Sequence, residues 1–216
     1  MKSILLIGLG RFGIHLAKKL EKMRHEVLAV DRNERKVNAA ADFLTNVQIG
    51  DSTNEQFIAS LGVGNFDLCI VAIGDDFQSS LETTALLKEQ GATYVVSQAI
   101  RDVHEKFLLR NGADEVIYPE RDAAAWAAVR YGFNHICDYI PLTDEYAIYE
   151  IEIPNSWVGK TLEDLAVRQK YHFNILGVKS KDKRLDTPKL GHSFSGTESI
   201  LIMGDKKVIE KFVNYK

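Results

Sequence analysis

The chain opens on an apolar run, Ile4-Leu5-Leu6-Ile7, too short for a membrane span and of the right length for a buried strand. A glycine-rich turn, Gly8-Leu9-Gly10-Arg11-Phe12-Gly13, follows it. The next segment carries Leu16, Ala17 and Leu20 on one helical face and Lys18, Lys19 and Glu21 on the other. A second apolar run, Val27-Leu28-Ala29-Val30, ends on Asp31. The alternation then continues: residues 46–49, 68–73, 94–96 and 116–118 read as strands, and 54–61, 77–88, 103–109 and 122–133 as helices. Strands that alternate with helices pair in parallel through right-handed crossovers. The pattern therefore predicts an α/β fold, a Rossmann-like doubly wound parallel sheet over residues 1–135.

The period then changes. Residues 136–146 lose it and read as a linker. Beyond them Tyr149-Glu150-Ile151-Glu152-Ile153 alternates strictly, as a half-exposed strand does. Thr161-Leu162-Glu163-Asp164 has the form of a capping start to a helix over 162–169. Strands at 174–178 and 199–204, a charged hairpin or loop at 179–190 and a helix at 206–213 complete a small α+β C-terminal domain, residues 147–216. So short a unit is marginal alone, and it is expected to dimerise.

The opening stretch carries the chemistry. Strand, G-x-G-x-x-G, helix, strand and an acid about twenty residues on form the dinucleotide fingerprint. Gly8 permits the tight turn, Gly10 lets backbone approach a phosphate, and Gly13 lets helix and sheet close up. The unpaired amides at the helix start favour an anion. Asp31 accepts from ribose hydroxyls and repels a 2′-phosphate. Ligands of open α/β sheets bind beyond the carboxyl ends of the strands. The candidates there are Gly8, Gly10, Arg11, Phe12 and Gly13; Asp31, Arg32 and Asn33; Asp51 and Ser52; Ile73 and Gly74; Gln98; and Glu120. Asp51 or Ser52 also reads as a cap for the following helix. Pro119-Glu120 is ordinary chemistry for a helix start, and equally a carboxylate that could face phosphates only with a cation between them.

Charge narrows the class. Net charge is −3, which argues against an electrostatic nucleic-acid binder. The N-terminus has no signal-peptide pattern, and no segment approaches the ~20 apolar residues that cross a bilayer. Cys69 and Cys137 have neither disulfide-scaffold nor zinc-site spacing. A cytosolic protein is expected, with membrane contact only through a partner. The Lys179–Arg184 charge cluster reads as a solvated loop, or alternatively as an anion-binding edge.

Several motifs together carry a family resemblance. They are the glycine turn, Ala29-Val30-Asp31, Gly50-Asp51-Ser52-Thr53, the run 67–74, and Asn111-Gly112-Ala113-Asp114 leading to Tyr118-Pro119-Glu120-Arg121-Asp122. In combination they resemble the regulator-of-K⁺-conductance (RCK) domain of Trk/Ktr potassium-uptake systems, closest to the stand-alone Ktr-type subunits. Val158-Gly159-Lys160-Thr161-Leu162 and Leu165 resemble that family's C-terminal domain. The resemblance implies a cytosolic regulatory subunit that forms dimers and octameric rings on a separate membrane potassium-translocating subunit. It implies ATP, ADP, AMP or NAD(H) in the Rossmann cleft, with Arg11 at a terminal phosphate, Asp31 at the ribose, Asp51 and Ser52 near adenine, and a cation at Glu120. It also implies cyclic di-AMP in the C-terminal domain, at positions resembling Arg168, Asn174, Ile175 and Pro188. One departure stands out: Gln98 replaces the Lys or Arg of many Ktr subunits, which should weaken triphosphate binding relative to ligands of lower charge. Lys88 and Arg101 are the cations that could compensate.

The rival class is an NAD-dependent oxidoreductase. It needs a positioned acid or base. The chain has no Tyr-x-x-x-Lys, and Asp75, Asp76 and His104 read more simply as helix-start acids and a surface histidine. A catalytic function is not expected. A DNA regulator lacks its helix-turn-helix.

Overall fold

The computed structural model describes residues 1–182 and 184–214. The chain divides into two compact units, Met1–Arg121 and Asp122–Lys216.

The first unit runs β1 (Ser3–Ile7), α1 (Arg11–Lys22), β2 (Glu26–Asp31), α2 (Glu34–Ala41), β3 (Asn46–Ile49), α3 (Glu55–Ser60), β4 (Leu68–Val71), α4 (Phe77–Glu89), β5 (Val95–Gln98), α5 (Asp102–Arg110), β6 (Glu115–Ile117) and the start of α6 (Pro119–Gly132). Among the described residues its strands form one parallel sheet in the order β3-β2-β1-β4-β5-β6. The apolar runs are continuous because both faces of the sheet are covered. In β1, Ile4 and Leu6 join a core with Ala17 of α1 and Val37 and Ala40 of α2. Leu5 and Ile7 point the other way, into a core with Ile58 of α3 and Leu87 of α4. The strand order reverses at β1, so the crevice outside its carboxyl end is the place where a doubly wound sheet binds ligands.

α4 does not follow the hydrophobic rule. Its buried face carries Ser80, Thr83 and Thr84. Each hydroxyl is paired: Thr83 with Ser52 at 2.8 Å, Thr84 with Ser97 at 2.9 Å, and Ser80 with a ring nitrogen of His104 at 3.2 Å. These bonds remove the penalty of burying polar groups.

The second unit holds β7 (Ile136–Pro141), β8 (Tyr146–Glu152), α7 (Leu162–Leu165), α8 (Val167–Tyr171), β9 (Asn174–Lys179), β10 (Leu185–Asp186), β11 (Ser199–Asp205) and α9 (Lys206–Asn214). Its strands form an antiparallel sheet, β10-β9-β11-β8-β7. Two sequence expectations are corrected here. Much of the expected linker is strand: β7 pairs with β8 from Ile136↔Ile151 to Pro141↔Ala147, with a register shift that breaks its period. The helix expected over 162–169 is two pieces, because Ala166 adopts φ +44° between α7 and α8. Thr161 and Asp164 do form the reciprocal capping box. β9 and β10 pair antiparallel, Leu185 with Lys179 and Asp186 with Val178; Lys183 of the charge cluster lies outside the described residues. Trp157, buried to 1% exposure, centres an aromatic core with Tyr171, Phe173, Phe194 and Phe212.

Candidate functional site: a cleft at the strand-order reversal

The glycine turn is built from three different constraints. Gly8 sits at φ +100°, and a Cβ there would lie 2.7 Å from the Ala72 carbonyl oxygen. A Cβ on Gly13 would lie 1.9 Å from the carbonyl oxygen of Gly8, so this residue lets α1 close onto the turn. Gly10 differs: a Cβ there would meet nothing within 4 Å, and its φ is −69°. The fold itself does not demand glycine at 10. The space that its missing Cβ leaves opens on the cleft, as a close-approaching ligand requires. α1 begins without a side-chain cap and without an acid in its first turn, which leaves its amides for an anion. Arg11 stands exposed at the start of α1, and Phe12 packs half-buried in the core below.

Asp31 ends β2 and is 8% exposed. Its Oδ2 accepts the Leu9 amide at 2.7 Å and faces Lys36 Nζ at 3.6 Å; its Oδ1 accepts the Asn33 amide at 2.8 Å. The carboxylate thus ties the glycine turn to the β2–α2 turn before any ligand arrives. Each oxygen keeps further acceptor capacity for a ribose hydroxyl. Asn33 caps α2, accepting the amides of Arg35 and Lys36.

The opposite wall comes from the ends of β3 and β4. Asp51 accepts the amide and hydroxyl of Thr53, which hold its carboxyl below the usual carboxylate range. Ser52 is buried and bonded to Thr83. Asp76 caps α4 by accepting the amide and hydroxyl of Ser79, and those bonds likewise lower its pKa. Arg32 reaches to within 3.5 Å of Asp76.

Of the predicted residues, Gly8, Gly10, Asp31, Arg32, Asp51, Ser52, Ile73 and Gly74 line one cleft. Lys36 and Ser79, which no sequence motif marks, line it too; both sit in the first turn of a helix that follows a strand end. Gln98 is not in the lining. It is 5% exposed and lies behind Gly74, whose Cβ would be 3.4 Å from Gln98 Nε2. The expected compensating cations are committed elsewhere: Lys88 pairs with Asp114 at 3.0 Å, and Arg101 lies over the Phe77 ring. Glu120 is exposed in the first turn of α6 and does not line the cleft. Among the described residues no group of three or more His, Cys, Asp or Glu is arranged to hold a metal ion. His104, read as a surface histidine, is fully buried. The Asn111-Gly112-Ala113-Asp114 motif is structural: it ends α5, and Asp114 accepts the Val95 amide at 2.7 Å. In the second unit Arg168, Asn174 and Ile175 line one groove, whereas Pro188 lines another.

The TrkA-N domain model matches residues 4–119, from the first strand to the proline that opens α6. The chain belongs to the TrkA-N family. This TrkA-N chain is 40% identical over 213 residues to the Ktr system potassium uptake protein A of Bacillus subtilis (strain 168), covering 99% of this chain and 96% of that protein. It is 38% identical over 211 residues to the Ktr system potassium uptake protein C of the same organism, covering 98% and 96%. Among solved structures, the GsuK channel bound to NAD superposes with a TM-score of 0.71 at 19% identity, covering 98% of this chain and 39% of that one. That likeness establishes the fold. No helix among the described residues is long and apolar enough to cross a membrane.

Proposed function

We propose that this protein is a cytosolic, nucleotide-sensing regulatory subunit of a potassium-uptake system. The observation that carries the reading is 40% identity to a Ktr potassium uptake protein across 99% of the chain. The geometry of the cleft supports it, since Gly10 leaves room for a phosphate group and Asp31 offers acceptors for a ribose. The ligand is an adenosine nucleotide: ATP or ADP, with AMP or NAD(H) as alternatives. Arg11 reaches its terminal phosphate, and Asp51 and Ser52 lie beside the adenine. Glu120, exposed outside the cleft lining, would hold a cation beside the phosphates only where the bound ligand extends to it.

The partner is a membrane potassium-translocating subunit of Trk/Ktr type, which holds the protein at the inner face of the membrane. The chain works as a dimer through residues 147–216, and further as an octameric ring. Ring assembly makes small discriminations sufficient: shifting a population from 1:99 to 99:1 takes about 5.5 kcal/mol, or about 0.7 kcal/mol for each of eight coupled sites. Cyclic di-AMP is a second ligand, held at Arg168, Asn174 and Ile175. The protein is a sensor and not a catalyst, since two of the three acid–base candidates are used otherwise: Asp76 caps α4, and His104 is buried on the inner side of α5.

Calorimetric titration with ATP, ADP, AMP, NADH and cyclic di-AMP tests the ligands. Asp31→Ala should abolish the cleft ligand and spare any ligand of the second unit. Co-expression with a Ktr-type membrane subunit in cells unable to take up potassium tests the partner: Asp31→Ala should remove nucleotide control of uptake. Hydride transfer from NADH to a small carbonyl would instead establish the oxidoreductase.

A further inference from the structure

The first turn of α4 puts neighbouring residues into two different surroundings. Asp76 lines the cleft, where Ser79 fixes its carboxylate and the Arg32 guanidinium approaches it to 3.5 Å. β1 lies between β2 and β4 in the sheet, so a contact from Arg32 to Asp76 passes over the end of β1, across the mouth of the cleft. Phe77, the next residue, packs into the junction with α5. Its ring meets His104 edge-on with centroids 4.8 Å apart and Phe107 at 5.9 Å, and the Arg101 guanidinium lies 5.0 Å over its face.

α5 rests on this junction with one defect in its seat. His104 is fully buried; its Nε2 lies 3.2 Å from Ser80 Oγ, and its Nδ1 has no hydrogen-bond partner among the described residues. An unsatisfied buried polar atom costs free energy, so the seat of α5 is less secure than a fully paired one. Val103 is 46% exposed, and Phe107, at the rim of the junction beside Phe77, is 41% exposed.

We propose that Phe77 is a positioning residue that relays occupancy of the cleft to α5. A ligand entering the cleft displaces Arg32 from Asp76. The contact is solvent-exposed and therefore readily given up. Freed of it, the first turn of α4 resettles. The Phe77 ring, packed against two residues of α5, carries that movement into the helix, because close-packed side chains transmit small shifts and do not absorb them. The relay rests on the nucleotide reading above, and its test separates the two.

The test is amide hydrogen exchange on the full chain, with ADP, ATP, AMP and NADH as probes and calorimetry on the same samples. In the unaltered protein, a nucleotide that binds should change exchange across α5 by about threefold or more. Phe77→Leu should bind that nucleotide with an affinity within about threefold of the parent, yet lose the response of α5. Arg101→Gln, an exposed change that leaves the core intact, should at least halve the response, and it decides the matter if Phe77→Leu fails to fold. A purely structural role for Phe77 would alter the resting exchange but not the ligand-dependent difference. Binding without any change at α5, or a full response in the variants, overturns the relay and leaves the nucleotide reading standing. No binding of any of the four nucleotides overturns both.

Discussion

The Oδ2 atom of Asp31 lies 2.7 Å from the amide nitrogen of Leu9, across the twenty-two positions that separate the end of β2 from the glycine turn. An acid expected to greet a ribose is therefore also an internal brace. It holds the phosphate turn in shape, and it holds Asn33 and through it the start of α2.

Replacement of Asp31 by Ala should thus do two things at once. Two amides lose their acceptor, which costs about 1–3 kcal/mol of stability for each one left unpaired, and nucleotide affinity should fall at least about tenfold. Urea denaturation and calorimetry on the same sample would check both. A variant of unchanged stability would contradict the bracing role.

Gly10 and Gly13 should part company under the same substitution. Gly13→Ala forces a methyl group against the Gly8 carbonyl and should destabilise the fold by about 1–3 kcal/mol. Gly10→Ala meets nothing in the chain, and its φ suits alanine, so stability should stay level or rise by about 0.4–1 kcal/mol while nucleotide affinity drops. Thermal melts with and without ADP distinguish the two.

Stability should fall as solutions are acidified below about pH 6.5, through His104. Burial lowers its pKa in the folded protein, with a smaller push from Arg101. The unfolded chain therefore binds a proton that the folded one refuses. The resulting contribution to stability is full above the unfolded value and is lost progressively as pH falls from there to the lowered folded value, with a slope of up to about 1.4 kcal/mol per pH unit. His104→Gln should flatten that stretch of the stability curve measured between pH 7 and 5.

Trp157→Ala should cost about 3–5 kcal/mol, since the ring is fully enclosed by Tyr171, Phe173, Phe194 and Phe212. Near-ultraviolet circular dichroism would report the loss of the aromatic core. A change below about 1 kcal/mol would mean that the cluster reseals around the gap.

The parts legible in the sequence are those whose signal is local. The apolar runs of β1 and β4 are unbroken because both faces are covered, and the turn between β1 and α1 has fixed glycine spacing. β7 leaves no periodic signal in the sequence because its register shift disrupts the alternation and its end is exposed at Ile140 and Pro141. The break at Ala166 has no signature, since alanine ordinarily sustains a helix. The burial of His104 has no local signal, since its polar partner, Ser80, lies on another helix. Gln98 ends its strand as expected, but the chain at Gly74 stands between it and the cleft, and only the folded arrangement reveals that.

The hydroxyl-lined underside of α4 has a consequence for how this protein can move. Close-packed apolar surfaces already resist sliding, and Ser80, Thr83 and Thr84 add fastenings at discrete points. Small displacements of the helix would stretch all of these fastenings together, so its motion should come as a jump between registers and not as a drift. A cleft wall mounted on such a ratchet suits a two-position signal better than a graded one.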